Sequence, residues 1–250
     1  MRPKPDPRSI LLFYLLKQLN RCHRDHQLLA DGDHIAVALS GGKDSCALLD
    51  ALVQRRGLER YRLTAIHVTP ASDMDCGAQA NVPALCAWLD RLGVAHRIVS
   101  AEEVQGQPRR AKQSVCFYCA WRRRKALFAA AQELGCNKLA LAHNADDIAQ
   151  TTLLNLFFQG RLETMAPRTS FFGGKLIVIR PLAYVPETQI AEYARGAGFP
   201  PSPPPCPTGG ASQRARMREV LAIVEQTHPH AKSYLRRAVE RYGAPEGEES

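Results

Sequence analysis

The sequence predicts an α/β fold, a doubly wound five-stranded parallel sheet followed by C-terminal helices. Three observations predict it. Short apolar, β-branched runs recur along the first 180 residues. Stretches with apolar residues near a 3.6-residue period separate them. The separations leave room for crossover helices, so the strands are expected to run parallel with both faces covered.

Taken in order, the chain opens on an amphipathic helix capped by Ser9. Strands are expected at His34–Leu39, Leu63–Val68, Ala95–Val99, Lys138–Ala142 and Leu176–Ile179, where β-branched and aliphatic residues cluster. Helices are expected at Lys43–Arg55, Asn81–Leu92, Cys119–Leu134 and Ala145–Phe158, each with apolar residues on one face. The run Phe199-Pro-Pro-Ser-Pro-Pro-Pro-Cys-Pro207 excludes a helix and disfavours a strand, because proline lacks the amide hydrogen both need. Helices at Gln213–Gln226 and Ala231–Tyr242 follow. Residues 2–7 and the Glu246-Gly-Glu-Glu-Ser end are expected to be solvated chain.

Composition narrows the function classes. Apolar residues make up 45% and charged residues 23% of the 250, which excludes wholesale disorder. Lys and Arg outnumber Asp and Glu by 33 to 24, a net charge of +9 that favours a polyanionic partner. The longest apolar run, Ile10–Leu16, is far shorter than the roughly 20 residues of a membrane span. It is not read as a secretory signal either, since Lys17, Arg21, Arg24 and Asp25 follow it without a small-residue cleavage site. Eight scattered cysteines fit a cytoplasmic protein with a few purposeful thiols better than a disulfide framework.

Ligands of parallel sheets sit beyond the strand C-termini, and Ser40-Gly-Gly-Lys-Asp-Ser45 stands beyond the first strand. Gly41 and Gly42 let the backbone turn and approach a ligand. The amides opening the next helix favour an anion, Ser40 and Ser45 add hydroxyls, and Lys43 adds positive charge. Asp44 makes sense in such a cradle if Mg²⁺ bridges it to phosphate oxygens. The loop is neither a Walker A sequence nor a dinucleotide fingerprint.

Ser40–Ser45 resembles the pyrophosphate loop of the PP-loop ATP pyrophosphatase superfamily. The resemblance implies a nucleotide alpha-hydrolase-like fold that cleaves ATP between its α and β phosphates and adenylates a substrate oxygen. It assigns Ser40, Gly41, Gly42, Lys43, Asp44 and Ser45 to nucleotide binding, with Asp44 and Lys43 also catalytic. Leu141-Ala-His-Asn-Ala-Asp-Asp147 is similar to a second segment of these enzymes, which places His143 near the nucleotide. Ala142 stands where that family usually has Gly, and Asn144 where closer relatives have His. For Asp146 and Asp147, helix capping and a role near ATP or Mg²⁺ both remain open.

Cys116-Phe-Tyr-Cys119 and the distant Cys206 admit three readings from the residues alone. A redox dithiol would be expected to open the helix of an early βαβ unit. Structural zinc wants a fourth ligand and usually a second C-x-x-C. A [4Fe–4S] cluster on three thiolates would leave one iron open. The stretches Cys116-Phe-Tyr-Cys-Ala-Trp-Arg-Arg-Arg124, Asp146-Asp-Ile-Ala-Gln-Thr151, Ile179-Arg-Pro-Leu-Ala183 and Pro205-Cys206 resemble tRNA thiolases of the 2-thiocytidine synthetase group, across roughly residues 10–242. That resemblance implies a cluster held by Cys116, Cys119 and Cys206. Family members often carry a second cysteine three residues after the distant one; this chain has Cys206-Pro-Thr-Gly instead. Cys22, Cys46, Cys86 and Cys136 read as packing thiols, and Cys76 as a candidate sulfur relay.

Between Arg109 and Lys125 there are seven basic residues and no acidic one: Arg109, Arg110, Lys112, Arg122, Arg123, Arg124 and Lys125, with Tyr118 and Trp121 interleaved. Arginine suits phosphate and aromatics suit unstacked bases, so RNA contact is expected there. A second basic cluster, Arg214–Arg241, has three glutamates among it and reads equally as a solvated face.

The resemblance implies an ATP-dependent sulfurtransferase acting on cytidine 32 of the tRNA anticodon loop. It also implies Mg²⁺, a cysteine desulfurase as sulfur source, and a homodimer. On this reading residues 1–30 form an N-terminal helix with a disordered start, and 31–198 the ATP-binding α/β domain with an inserted C-x-x-C segment. Residues 199–242 form the Pro/Cys loop with basic helices, and 243–250 an acidic tail. Alternatives are a thiolase of uridine, a ligase joining lysine to cytidine, or an RNA-binding metal protein without catalysis.

Overall fold

The computed structural model describes residues 7–71, 81–102, 115–204 and 213–243, with the side chains of 7, 115 and 116 left out. The expectations for residues 2–6, Cys76, Arg109–Lys112, Cys206 and the acidic tail lie outside the described residues, while Pro7, expected in solvated chain, opens a helix. Eight helices and six strands form among those that are described. They divide into two compact units that cut across the expected 31–198 domain. One contains Leu29–Leu141 and Gly198–Gly209, the other Met1–Leu28, Ala142–Ala197 and Gly210–Ser250.

The first unit holds β1 (His34–Ala38), β2 (Arg62–Thr69), β3 (Ala95–Ser100) and β4 (Lys138–Ala140), all parallel, in the order β3-β2-β1-β4. Helices α2 (Lys43–Gln54), α3 (Val82–Arg91) and α4 (Val115–Glu133) belong with them. Ile35, Ala36 and Val37 of β1 are fully buried, as a central strand with two covered faces requires. The chain leaves β1 for β2 and β3 on one side and returns to β4 on the other. That makes the end of β1 a topological switch point, where parallel sheets bind ligands.

A buried polar network fixes the start of this sheet. Lys138 Nζ lies 2.6 Å from Asp33 Oδ2, both side chains being about 5% exposed. Asn137 Nδ2 donates to Asp33 Oδ1 at 2.9 Å, while its Oδ1 accepts the His34 amide at 2.8 Å. Removing either ion would strand the other, at a cost of about 3–5 kcal/mol.

The second unit holds α1 (Pro7–His26), α5 (Ala145–Gln159), β5 (Arg168–Phe171), β6 (Leu176–Ile179), α6 (Glu187–Arg195), α7 (Gln213–Thr227) and α8 (Ala231–Tyr242). Ala149 and Leu153 of α5 pack on Met217 and Leu221 of α7, with Leu235 of α8 alongside. The fifth expected strand forms as β6, and a further strand that the sequence did not announce lies beside it. Leu176–Ile179 pairs antiparallel with β5, from Arg168 opposite Ile179 to Phe171 opposite Leu176. Phe172, Gly173 and Gly174 make the reversal at positive φ of 55°, 64° and 87°. Ser9 does not cap α1, which already begins at Pro7, a residue suited to a first helical turn. No described helix is long and apolar enough to cross a membrane.

Candidate functional site

The Ser40–Ser45 loop joins β1 to α2. Gly41 sits at φ 83°, a conformation that a side chain would strain, so the sharp turn depends on it. Gly42 is the N-cap of α2 with an ordinary φ of −77°, and a Cβ there would make only an ordinary contact with Ser40 Oγ, at 3.4 Å. Ser45 Oγ donates to Gly42 O at 2.9 Å and accepts the Ser40 amide at 3.2 Å. Ser40 Oγ contacts Ser45 Oγ at 3.1 Å and accepts the Gly42 amide at 3.3 Å. Both hydroxyls thus hold the shape of the loop as well as lining it. The Cys46 amide reaches Gly42 O, and the amides ahead of it face the open end of the helix, where an anion is favoured.

Asp44 has two different oxygens. Oδ2 accepts from Lys43 Nζ at 3.1 Å. Oδ1 is buried and has no hydrogen-bond partner among the described residues. A buried carboxylate oxygen without a donor is costly unless something else satisfies it. Mg²⁺ takes oxygen ligands and is held by one or two carboxylates plus phosphates, so Asp44 Oδ1 fits the ion expected there.

Beside the loop lies a cavity of about 140 Å³. Leu39 and Ser40 wall it from the end of β1, His67 from β2, Arg123 and Leu127 from α4, and Pro203 from the proline-rich segment. His67, Arg123 and Pro203 were not singled out as lining a common site in the sequence. The available signal was a lone histidine in an apolar strand whose end faces the loop. His67 is buried, and its Nδ1 lies 2.7 Å from Leu39 O. Burial holds its pKa below the usual histidine range; the Leu39 bond opposes this and the Arg123 charge adds to it.

The expected C-x-x-C lies inside α4 rather than ahead of it: the helix begins at Val115, so Cys116 and Cys119 occupy its first turns. Positions 116, 119 and 123 follow the i, i+3, i+7 spacing of one helical stripe. Cys119 is half-buried, and Arg123 on that stripe reaches the cavity. Two thiols at i, i+3 are a donor set that suits iron or zinc. The buried thiols differ. Burial pushes Cys22 and Cys46 up to about 12 and raises Cys136 as well, which keeps them protonated and inert.

The basic cluster is divided by the fold. Arg122 turns inward, donating Nε–H to Ala101 O at 3.0 Å, and so is not part of a surface. Arg124 and Lys125 are exposed, and Tyr118 stacks on Trp121 with ring centroids 6.0 Å apart. Lys125 Nζ stands 5.3 Å from the Trp121 ring. On α8, Arg237 covers Tyr234 at 4.8 Å and Arg241 covers Tyr242 at 5.8 Å, all four exposed.

His143 belongs to the second unit, ahead of α5. Asn144 is the N-cap of α5: its Oδ1 accepts the amides of Asp146 and Asp147, and Asp147 Oδ2 accepts the Asn144 amide at 3.1 Å. Asp146 Oδ2 accepts the Glu187 amide at 2.8 Å, and Oδ1 pairs with Lys232 at 2.5 Å. Burial acts to lower the Lys232 pKa, but the bonds to Asp146 and Glu225 outweigh it and hold the pKa above the usual lysine range. Between the two roles left open for this pair, the geometry favours capping and cross-bracing. A larger cavity of this unit, about 400 Å³, is walled by His26, Arg236 and Glu240 among others. Three of its polar side chains are already engaged, His26 with Tyr184 and Arg236 with Glu240.

Residues 14–222 match the PP-loop domain family. A tRNA-cytidine(32) 2-sulfurtransferase of Geobacter sulfurreducens is 40% identical over 227 residues, covering 88% of this chain and 86% of that protein. A protein of the same name from Geotalea uraniireducens is 37% identical over 235 residues, 91% of each chain. Among solved structures, the U34-tRNA thiolase NcsA from Methanococcus maripaludis with its [4Fe–4S] cluster has the same fold. Its TM-score is 0.79 at 24% identity, over 94% of this chain and 79% of that one. The glycine- and serine-containing loop Ser40–Ser45, its place at the switch point of a parallel sheet and this near full-length similarity agree: the chain belongs to the PP-loop family and, within it, to the tRNA-cytidine(32) 2-sulfurtransferases.

Proposed function

We propose that the protein replaces the C2 oxygen of cytidine 32 in tRNA with sulfur, at the expense of ATP cleaved to AMP and pyrophosphate. The observation that carries this reading is Asp44 Oδ1, a buried carboxylate oxygen without a donor in a loop otherwise built for an anion. A cation held by Asp44 would satisfy that oxygen and neutralise phosphate charge at the same loop.

The loop amides and Lys43 would hold the β and γ phosphates, and Asp44 would hold Mg²⁺, which when bound would neutralise phosphate charge. The C2 oxygen of the base attacks the α-phosphorus, and the bond to pyrophosphate breaks. Adenylation turns a poor leaving group into AMP; sulfur, delivered as a sulfide equivalent, then attacks C2 and expels it. Catalysis here is mainly positioning and charge neutralisation. Cys116, Cys119 and Cys206 would hold the [4Fe–4S] cluster, which when bound supplies an open iron for sulfur. NcsA, of the same fold, carries such a cluster, and the placement of Cys119 on the stripe that carries Arg123 supports one in this chain. His143 is retained as a nucleotide-binding residue of this reading.

Substrate contact follows from the same surfaces. The Tyr118–Trp121 stack with Lys125 suits an unstacked base beside a phosphate, and the arginine–tyrosine pairs of α8 suit the same ligand class. A cysteine desulfurase as sulfur source and self-association into a homodimer complete the reading.

The test is turnover. Purified protein with its iron restored, given Mg-ATP, sulfide and tRNA, should release AMP and pyrophosphate in equal amounts, and only when tRNA is present. Release that instead depends on added lysine would point to the ligase reading. RNA binding without any AMP release would leave a binding protein.

A further inference from the structure

His67 lines the cavity beside the loop and has one ring nitrogen beyond the one it bonds to Leu39. The residue is 4% exposed. Its Nδ1 lies 2.7 Å from Leu39 O, and a carbonyl oxygen can only accept, so Nδ1 carries the hydrogen. In the neutral ring Nε2 is then a bare lone pair. Flipping the tautomer would set two lone pairs against each other inside the protein, which fixes the choice. Among the described residues His67 makes no other hydrogen bond, and the Arg123 charge disfavours a second proton on the ring. Leu39, Leu127 and Pro203 add apolar walls, and Ser40 and Arg123 polar ones.

A small cavity with mostly apolar walls and one imidazole acceptor accommodates a heterocycle that presents an N–H donor. The slot adjoins Ser40, the first residue of the phosphate loop. Its volume of about 140 Å³ is well below the roughly 300 Å³ or more typical of whole-ligand pockets, as expected for the base alone. Building on the proposed use of ATP, we propose that His67 Nε2 accepts a hydrogen from the exocyclic amine of adenine and so sets the nucleotide specificity of the enzyme. Guanine places a carbonyl oxygen at that position, two acceptors would then face each other, and GTP is rejected. Leu39 O acts as the positioning group, holding the ring in the tautomer that reads the amine.

The experiment measures Kd by calorimetry on the purified protein with Mg²⁺, for ATP, for purine riboside 5′-triphosphate (ATP without the exocyclic amine), for 2′-deoxy-ATP and for GTP. ATP is expected to bind roughly tenfold tighter than the purine analogue, the worth of one buried hydrogen bond, with GTP weaker still. His67→Asn keeps a donor for Leu39 O and removes the acceptor. It should weaken ATP about tenfold while leaving the purine analogue unchanged. His67→Gln, which sets an amide oxygen near the Nε2 position, should regain part of the preference. Equal affinity of the unaltered protein for ATP and the purine analogue would overturn the inference, as would a penalty for 2′-deoxy-ATP alone, which would move the contact to the ribose. Equal weakening of both triphosphates by His67→Asn would reduce His67 to a structural role. No triphosphate binding at all would overturn the ATP reading, and this inference with it.

Discussion

Asp44→Ala should lose tRNA-dependent AMP formation by at least roughly 10³-fold and keep its fold. Both halves follow from the loop. Asp44 Oδ1 has no donor to lose, so removing the carboxylate leaves no new unsatisfied group on that side. Its Oδ2 meets only Lys43, and both side chains are about one-third exposed, so the lost ion pair is worth at most about 1 kcal/mol. The metal it is proposed to hold neutralises charge that grows as the pyrophosphate leaves, and removing one such preorganised stabiliser costs about 10²–10³ in rate, more when a cation goes with it. Asp44→Asn, equal in shape but neutral, should fail almost as badly. A thermal melt close to that of the unaltered protein, beside a lost burst of pyrophosphate, is the expected pair of results. Undiminished thiolation by Asp44→Ala would remove the loop from the mechanism.

Cys119→Ser should purify without its iron and without thiolation activity, yet bind ATP as before. Cys119 is half-buried in the first turns of α4, one turn ahead of the cavity wall at Arg123. Serine keeps the shape but cannot supply the thiolate that iron needs. Cys116→Ser and Cys206→Ser should behave alike if three thiolates share the cluster. Cys46→Ala is the contrast: its thiol is fully buried beside the phosphate loop and pushed up to about 12, so iron content should not change. Iron content, visible absorbance and ATP affinity separate the two outcomes. Full iron in Cys119→Ser would dismiss the cluster assignment, and full iron in Cys206→Ser alone would dismiss only the third ligand.

What was legible in the sequence follows the range of the interactions. The four parallel strands and the helices after them are carried by local periodicity, and their ends fall within a few residues of expectation. Asn81, expected to begin the third helix, caps it instead, accepting the Ala84 amide at 3.0 Å. β5 was missed because Arg-Thr-Ser-Phe has a single large apolar residue and becomes a strand only by pairing with β6. Gly173-Gly174 was the available turn signal. α6 was missed because nine residues hold only Ile190 and Tyr193 as buried anchors. The phosphate loop was legible because its chemistry lies in six consecutive residues. His67, Arg123 and Pro203 stand far apart in the chain and meet only in the folded unit, so no local pattern announced their cavity. Arg122 counted as surface charge until the fold turned it toward Ala101 O.

The central claim is tested most directly by mass spectrometry of nucleosides from the bulk tRNA of the host, with and without this gene. Loss of 2-thiocytidine alone, restored by the unaltered gene and not by Asp44→Ala, is the result the account predicts. Unchanged 2-thiocytidine in the strain lacking the gene would contradict it.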